Sequence, residues 1–287
     1  MRKGIHAMKQ IHLEGIVIGG GMPFVLIAGP CVIEDEQKTM AIAMALKELT
    51  DRLRIPLIFK ASYDKANRSS VESYRGPGLD VGLRILKRIR EHLSIPILTD
   101  IHRFEEIQPV SEVVDILQVP AFLCRQTDFV IEVARVARVI NVKKGQFLAP
   151  GDVRNIIDKV LSVNNENIMI TERGTCFGYN NLVSDFRAVP AMRAMGYPVV
   201  FDATHSVQLP GGQGKISGGQ REMVAYLARA AAAVGIDGLF VEVHPDPDAA
   251  LCDGPNSLVL AHLEGLLREL MQIDAIVKNP RHGFFSK

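Results

Sequence analysis

Apolar residues in this chain gather in short bursts, separated by longer stretches in which they recur at helical spacing. The bursts fall at 24–28, 57–60, 97–99, 116–119, 139–142, 168–171, 199–202 and 239–243. They are rich in Val, Ile, Leu and Phe and bounded by polar or glycine-containing turns, which marks buried strands. The stretches 36–51, 78–93, 104–113, 127–135, 151–160, 184–194 and 218–234, with either 247–251 or 258–277, predict helices. Strands alternating with helices pair in parallel through right-handed crossovers. Eight such units predict an α/β fold, a closed (β/α)8 TIM barrel. A doubly wound open sheet is the alternative. It calls for a GxGxxG turn after the first strand, whereas the chain reads Ala28-Gly29-Pro30-Cys31. Residues 1–22 precede the repeat. There Ile11, Leu13, Ile16 and Ile18 alternate around Glu14-Gly15, predicting a short N-terminal β-hairpin that reads as an appendage.

Composition adds bounds. The 287 residues are 47% hydrophobic and 23% charged, as in ordinary globular proteins. No Pro/Ser-rich linker or charge block divides them, so one barrel domain over 1–287 is expected. A net charge of +1 supplies no global field for nucleic acid or a membrane surface. Cys31, Cys124, Cys176 and Cys252 lie far apart and form no CxxC pair. That argues against a zinc ribbon or disulfide framework and for a reducing compartment. Without a leader-like segment or an apolar run near 18 residues, the expectation is a soluble, cytoplasmic protein.

In a barrel of this kind chemistry sits at the C-terminal ends of the strands. Two groups of residues fall there. One is cationic: Lys60, Lys65, Arg68, Arg125, Lys143 and Arg173. Any one of them would pair readily with Asp64, Asp128 or Glu172 on the rim. The whole set calls for anions, on the order of two phosphate-sized groups carrying up to about two charges each. The other group is Cys31, His205, Glu242 and Asp253. A thiol, an imidazole and two carboxylates suit a divalent transition metal, since sulfur disfavours magnesium and calcium. A lone cysteine after a strand is more often a small buried hydrophobe, and spacing leaves His102 and His244 open as rival ligands. Asp100, Ala121, Phe122 and Gln146 also follow strands. The loop 210–219 is half glycine and suits a lid.

Eight segments, in order, carry a resemblance: FKASYDKANRSS, ESYRGPGL, LTDIH, VPAFLCRQTD, NVKKGQFLAP, TERGTCFGYNNLV, FDATHSVQLPGG and EVHPDPDAALCDGP. Together they resemble the 3-deoxy-D-manno-octulosonate 8-phosphate synthases over about 24–260. KANRSS with PAFLxRQTD separates these from the related 3-deoxy-D-arabino-heptulosonate 7-phosphate synthases.

The resemblance implies condensation of phosphoenolpyruvate with D-arabinose 5-phosphate and water, for lipopolysaccharide core synthesis. It implies that Lys60, Lys143, Gln146 and Arg173 hold phosphoenolpyruvate, with Lys65 and Ala121 beside it and Asp100 and Phe122 in the same site. Asn67, Arg68 and Ser69 would hold the pentose phosphate, aided by Arg125 from a neighbouring subunit of a homotetramer. Lys65, Asn67, His205 and Asp253 would form the catalytic group. Cysteine, where the metal-independent members have asparagine, implies the metal-dependent class. Cys31, His205, Glu242 and Asp253 would then bind one iron, zinc or manganese ion.

Overall fold

The structure is a computed structural model that describes residues 8–68, 70–211 and 218–279. The chain begins with an antiparallel hairpin, β1 (Gln10–Leu13) and β2 (Ile16–Gly19). Glu14 and Gly15 turn it with φ of 47° and 80°, the positive pair that a tight two-residue hairpin turn requires. The repeat follows as β3 (Val25–Gly29), α1 (Glu36–Leu53), β4 (Leu57–Lys60), α2 (Leu79–Leu93), β5 (Ile97–Asp100) and α3 (Phe104–Ser111). It continues through β6 (Ile116–Val119), α4 (Thr127–Val136), β7 (Val139–Lys143), α5 (Val153–Leu161) and β8 (Ile168–Glu172). A small hairpin, β9 (Thr175–Cys176) and β10 (Leu182–Val183), precedes α6 (Ala188–Arg193) and β11 (Val199–Asp202). The short pair β12 (Gln208–Leu209) and β13 (Gly218–Gly219) precedes α7 (Val224–Val234). The chain then forms β14 (Gly238–His244), β15 (Leu258–Val259) and α8 (Leu263–Val277).

Strands β3 to β8, β11 and β14 pair in parallel in that order, and β14 closes on β3. This is the (β/α)8 barrel. Every residue of these eight strands is buried, because helices cover one face and the barrel fills the other. That is why the bursts are continuously apolar in their lower parts rather than alternating.

Two apolar layers result. Outward-facing residues such as Leu26, Phe59, Leu117 and Ile140 pack against the helices. Inward-facing Val25, Ile27, Ile58, Leu98, Ile116, Val139, Met169, Val200 and Phe240 form a separate cluster, and the N-terminal hairpin belongs to it. Ile11, Leu13 and Ile18 are at most 1% exposed. The hairpin is therefore a plug for the lower end of the barrel and not an appendage. Each such side chain contributes roughly 1.5–3 kcal/mol by leaving water.

Three expected helix starts move the furthest. The helix placed at 184–194 begins at Ala188, after a turn in which Asp185 takes hydrogen bonds from the Arg187 backbone and guanidinium. The helix placed at 218–234 begins at Val224, because Gly218 and Gly219 pair with β12. The last helix lies within 258–277, with 247–251 reduced to a single tight turn.

Candidate active site

The inward face of each strand changes chemistry along its length. With a period of two, Ile58 is followed by Lys60, Leu98 by Asp100, Ile116 by Gln118, Val200 by Asp202 and Phe240 by Glu242. On β7, Val139 gives way to Asn141 and then Lys143. The lower layers are apolar and the top layer is polar on every one of these strands, with glycine taking that place on β3. Phe240 marks the boundary: Lys143 Nζ lies 4.0 Å from its ring centroid and Lys60 Nζ 5.8 Å. The quadrupole of the ring favours cations over its face. Gly29 lies opposite Glu242 in register, and a Cβ there would fall 1.9 Å from the Lys60 carbonyl oxygen. Glycine thus lets β3 and β4 close beneath the site.

Above this layer opens a cavity of about 500 Å³, within the size range of small-ligand sites. Lys60, Lys65, Lys143 and Arg173 line it and are at most 6% exposed. Arg68 and Asn67 stand at its rim, with Asp100, Ala121, Phe122 and Gln146 on the wall. Burial removes water from these cations. For Lys143, burial and the neighbouring Lys60 lower the ammonium's pKa from its ordinary value, against the pull of Asp202. Burial likewise lowers Arg173. Lys65 goes the other way: burial opposes its charge, but the Cys31, Glu242 and Cys252 side of the site pulls it well above the usual lysine value. Arg173 Nη1 and Gln146 Oε1 are buried without hydrogen-bond partners. Among these buried cations the unpartnered Arg173 Nη1 is a free donor that suits an anion, whereas Gln146 Oε1 is an acceptor left for a donor.

The acidic partners are ordered beneath. Lys143 Nζ donates to Asp202 Oδ2, which also lies 2.8 Å from His205 Nδ1. Burial raises the Asp202 pKa, but His205 and Lys143 outweigh it and hold the carboxyl far below its usual range. His205 is thereby oriented with Nε2 toward Asp253 Oδ2 at 3.6 Å and Glu242 Oε1 at 3.7 Å. Lys60 Nζ donates to Ser62 Oγ at 2.7 Å and to the Cys31 carbonyl at 3.2 Å, and Ser62 donates on to Asp100. Asp100 is also bonded by His102 Nε2 at 3.1 Å.

The donor set for a metal can be tested on this geometry. His205, Glu242 and Asp253 place ligand atoms within 4.8 Å of one another, and so do Cys31, Cys252 and Asp253, the two trios sharing Asp253. Among the described residues both carboxylate oxygens of Glu242 are buried with no hydrogen bond, and Oε1 lies 3.6–3.8 Å from Lys60, Lys65 and His205. Sulfur, imidazole and two carboxylates, with an under-coordinated carboxylate among them, fit a divalent transition ion. Of the rivals, His244 turns to the Asp246 backbone and to Glu34, and His102 to Asp100. His102 also forms a separate trio with Asp64 and Glu106, where Glu106 Oε2 already accepts from Tyr63 and from the His102 and Arg103 amides.

The chain as a whole matches the family model of the DAHP synthetase I family over residues 6–279. It is 61% identical over 270 residues to the 2-dehydro-3-deoxyphosphooctonate aldolase of Geobacter sulfurreducens, covering 94% of this chain and 99% of that one. The enzyme of that name from Geobacter metallireducens is 62% identical over 270 residues, with the same coverage. That from Geotalea uraniireducens is 61% identical over 271 residues, covering 94% of this chain and all of the other. The chain belongs to the 2-dehydro-3-deoxyphosphooctonate aldolases of this family. These are the synthases its motifs resemble, under their other name.

Within this aldolase barrel the expected residues divide by place. Lys60, Lys65, Asn67, Arg68, Asp100, Ala121, Phe122, Lys143, Gln146 and Arg173 share the cavity with His205 and Asp253, while Cys31 and Glu242 are buried outside its lining. Arg125 does not join them: it is exposed and outside the cavity. Ser69 and the lid segment 212–217 lie outside the described residues. Two residues were not singled out from sequence. Cys252 Sγ lies 2.8 Å from Cys31 Sγ and accepts from Arg68 Nη1 at 2.9 Å. Asp202, the last residue of the burst 199–202, is the joint partner of Lys143 and His205.

Proposed function

We propose that the chain is a single-domain synthase that condenses phosphoenolpyruvate with D-arabinose 5-phosphate and water, giving 3-deoxy-D-manno-octulosonate 8-phosphate and inorganic phosphate. The observation that carries this is the convergence of four buried cations and Arg68 on one cavity, in a chain about 60% identical to enzymes of that name. Lys60, Lys143, Gln146 and Arg173 bind the phosphate and carboxylate of phosphoenolpyruvate, with Lys65 and Ala121 alongside. Asn67, Arg68 and Ser69 bind the pentose phosphate. The enol carbon C3 attacks the aldehyde, water adds at C2, and the hemiketal phosphate releases phosphate by C–O cleavage. The aldehyde oxygen gains a proton and the attacking water loses one. Lys65, Asn67, His205 and Asp253 stand at the point where these transfers fall. Fixed cations in a water-poor cavity stabilise the charge that develops, which is the largest lever such a site has.

Cys31, His205, Glu242 and Asp253 would hold one divalent metal ion (iron, zinc or manganese), which supplies Lewis acidity toward an oxygen of the substrates or water. Asp202 fixes the His205 ring for that purpose. The exposed Arg125, with Phe122 and Phe147 exposed at 56% and 54%, supports a homotetramer in which Arg125 completes the site of a neighbouring copy. No helix among the described residues is long and apolar enough to cross a membrane. The reaction proposed places the enzyme in the cytoplasm, in lipopolysaccharide synthesis.

The test is phosphate release from phosphoenolpyruvate with arabinose 5-phosphate, before and after a chelator. Release that stops with the chelator and returns with a divalent metal supports reaction and metal together. Release with erythrose 4-phosphate and not arabinose 5-phosphate overturns the substrate. Release that persists once metal analysis shows an empty protein overturns the metal requirement.

A further inference from the structure

Lys144 is a buried lysine that the proposed mechanism does not use. It follows Lys143 at the top of β7, and alternation turns it away from the cavity that Lys143 lines. It is wholly buried. Its Nζ donates to the carbonyls of Gly145 at 3.3 Å and Leu148 at 3.2 Å, and to Thr175 Oγ1 at 3.2 Å. Glu172 Oε2 lies 3.6 Å away. The other Glu172 oxygen accepts from the amides of Arg173 at 3.0 Å and Gly174 at 2.8 Å, wrapping the turn after β8 around the carboxylate. Gly174 takes φ of +89° to complete that turn.

One ammonium thus ties together the loop after β7, the end of β8 and the β9 strand. Each carries something toward the cavity. The loop after β7 carries Gln146, whose carbonyl is also bound by the Cys176 amide at 2.9 Å. The turn after β8 carries Arg173, whose Nη2 donates to Gln208 Oε1 at 3.0 Å. Gln146 and Arg173 both keep a buried polar atom without a partner. Such atoms reach a ligand only if the backbone beneath them is fixed. A buried ion pair is a poor way to stabilise a fold, since apolar residues of similar size do as well or better. Its value here is geometric.

We propose that Lys144, together with Glu172, is a positioning residue that aims Gln146 and Arg173 at the phosphoenolpyruvate half of the cavity. The inference rests on the proposed synthase reading for the identity of that ligand. The brace touches the loops after β7 and β8 and not the Asn67–Arg68 segment. Its loss therefore acts on one substrate and spares the other.

The experiment compares the wild-type enzyme with Lys144→Met/Glu172→Gln, which removes both charges and strands neither. The expected result is a cooperatively folded protein whose KM for phosphoenolpyruvate rises tenfold or more, with the KM for arabinose 5-phosphate within threefold. A folded double variant with both constants unchanged, or both raised alike, overturns the proposal. Should the double variant not fold, Glu172→Gln alone carries the same comparison, and the same split or its absence decides it. If the wild-type enzyme turns over neither sugar phosphate, the synthase reading falls by itself. The brace is then judged by calorimetric binding of phosphoenolpyruvate, where tenfold weaker binding to the variant supports it and equal binding overturns it.

Discussion

Arg68→Ala tests how the cationic cavity is divided between the two ligands proposed for it. In the structure Arg68 Nη1 is engaged by Cys252 Sγ at 2.9 Å, and its Nε is buried without a partner. That leaves Nε and Nη2 to meet a phosphate as a planar fork. Burial opposes its charge, but the Cys252, Asp253 and Cys31 side of the site raises its pKa above the ordinary arginine value, so it stays charged throughout the assay range. Two charge-assisted hydrogen bonds contribute about 1.5–3 kcal/mol each. Arg68 remains partly open to solvent, so the lower end applies to both and the sum is about 3 kcal/mol. At 1.4 kcal/mol per decade this is a rise of about 100-fold in KM for arabinose 5-phosphate. The KM for phosphoenolpyruvate should stay within about threefold, because the cations proposed for it, Lys60, Lys143 and Arg173, lie on β4, on β7 and just after β8. Steady-state kinetics with each substrate varied against saturation by the other reads both constants. An equal rise in the two, or a rise below about fivefold for the pentose phosphate, would falsify the assignment. Arg68→Lys should fall between, since a point charge replaces the fork.

Further outcomes follow from the same structure. Cys31→Ala should leave the purified protein without its metal after dialysis and without most of its activity; full metal content by elemental analysis would remove Cys31 from the ligand set. Cys31→Asn should retain more chelator-resistant phosphate release than Cys31→Ala, and parity between the two would contradict the class distinction. Leu13→Ala should lower unfolding free energy by about 2–5 kcal/mol, as for other buried leucines, in a urea titration; a loss below about 1 kcal/mol would mean that the hairpin does not seal the barrel. Burial raises the Asp100 pKa, but Lys60 and His102 outweigh it and hold the carboxyl well below its usual range. Its stabilising contribution is therefore present above the unfolded value near about 4 and lost as pH falls below that. Asp100→Asn should flatten the acid limb of a stability–pH curve, and an unchanged limb would sink the argument.

The barrel was legible because its strands are buried on both faces. Continuous apolar bursts at near-regular spacing leave few other architectures. Helix starts were less legible where a polar or glycine lead-in had another use. Ser184 to Arg187 form a turn closed by Asp185, and Gly218 with Gly219 supplies a short strand. Neither partner is adjacent in the burst pattern. The hairpin itself could be read from Glu14-Gly15, but its place could not. Nothing local says that Ile11, Leu13 and Ile18 face the barrel's interior; that follows only once the barrel is closed and its lower end stands open.

The site divides in the same way. Residues at strand ends were readable one by one, and the switch from apolar to polar at every second position, such as Ile58 to Lys60, is a sequence signal for the layer beneath the cavity. Contacts that depend on register around the barrel were not. Asp202 meets Lys143 across intervening β8 only because β11 and β7 both pair with β8. Cys252 meets Cys31 across 221 positions, at the end of a loop with no periodic pattern. Its sulfur is nonetheless where the two groups of residues join, touching both the candidate metal ligand Cys31 and the arginine proposed for the pentose phosphate. The acidic and cationic groups read from sequence are therefore not two neighbouring sites. Glu242 faces Lys60 and Lys65 at 3.6 and 3.8 Å, so any cation bound there competes with those lysines for the carboxylate. If the proposed metal binds, it would free Lys60 and Lys65 to face an incoming anion, and would so be coupled through charge alone to the phosphoenolpyruvate proposed for this site.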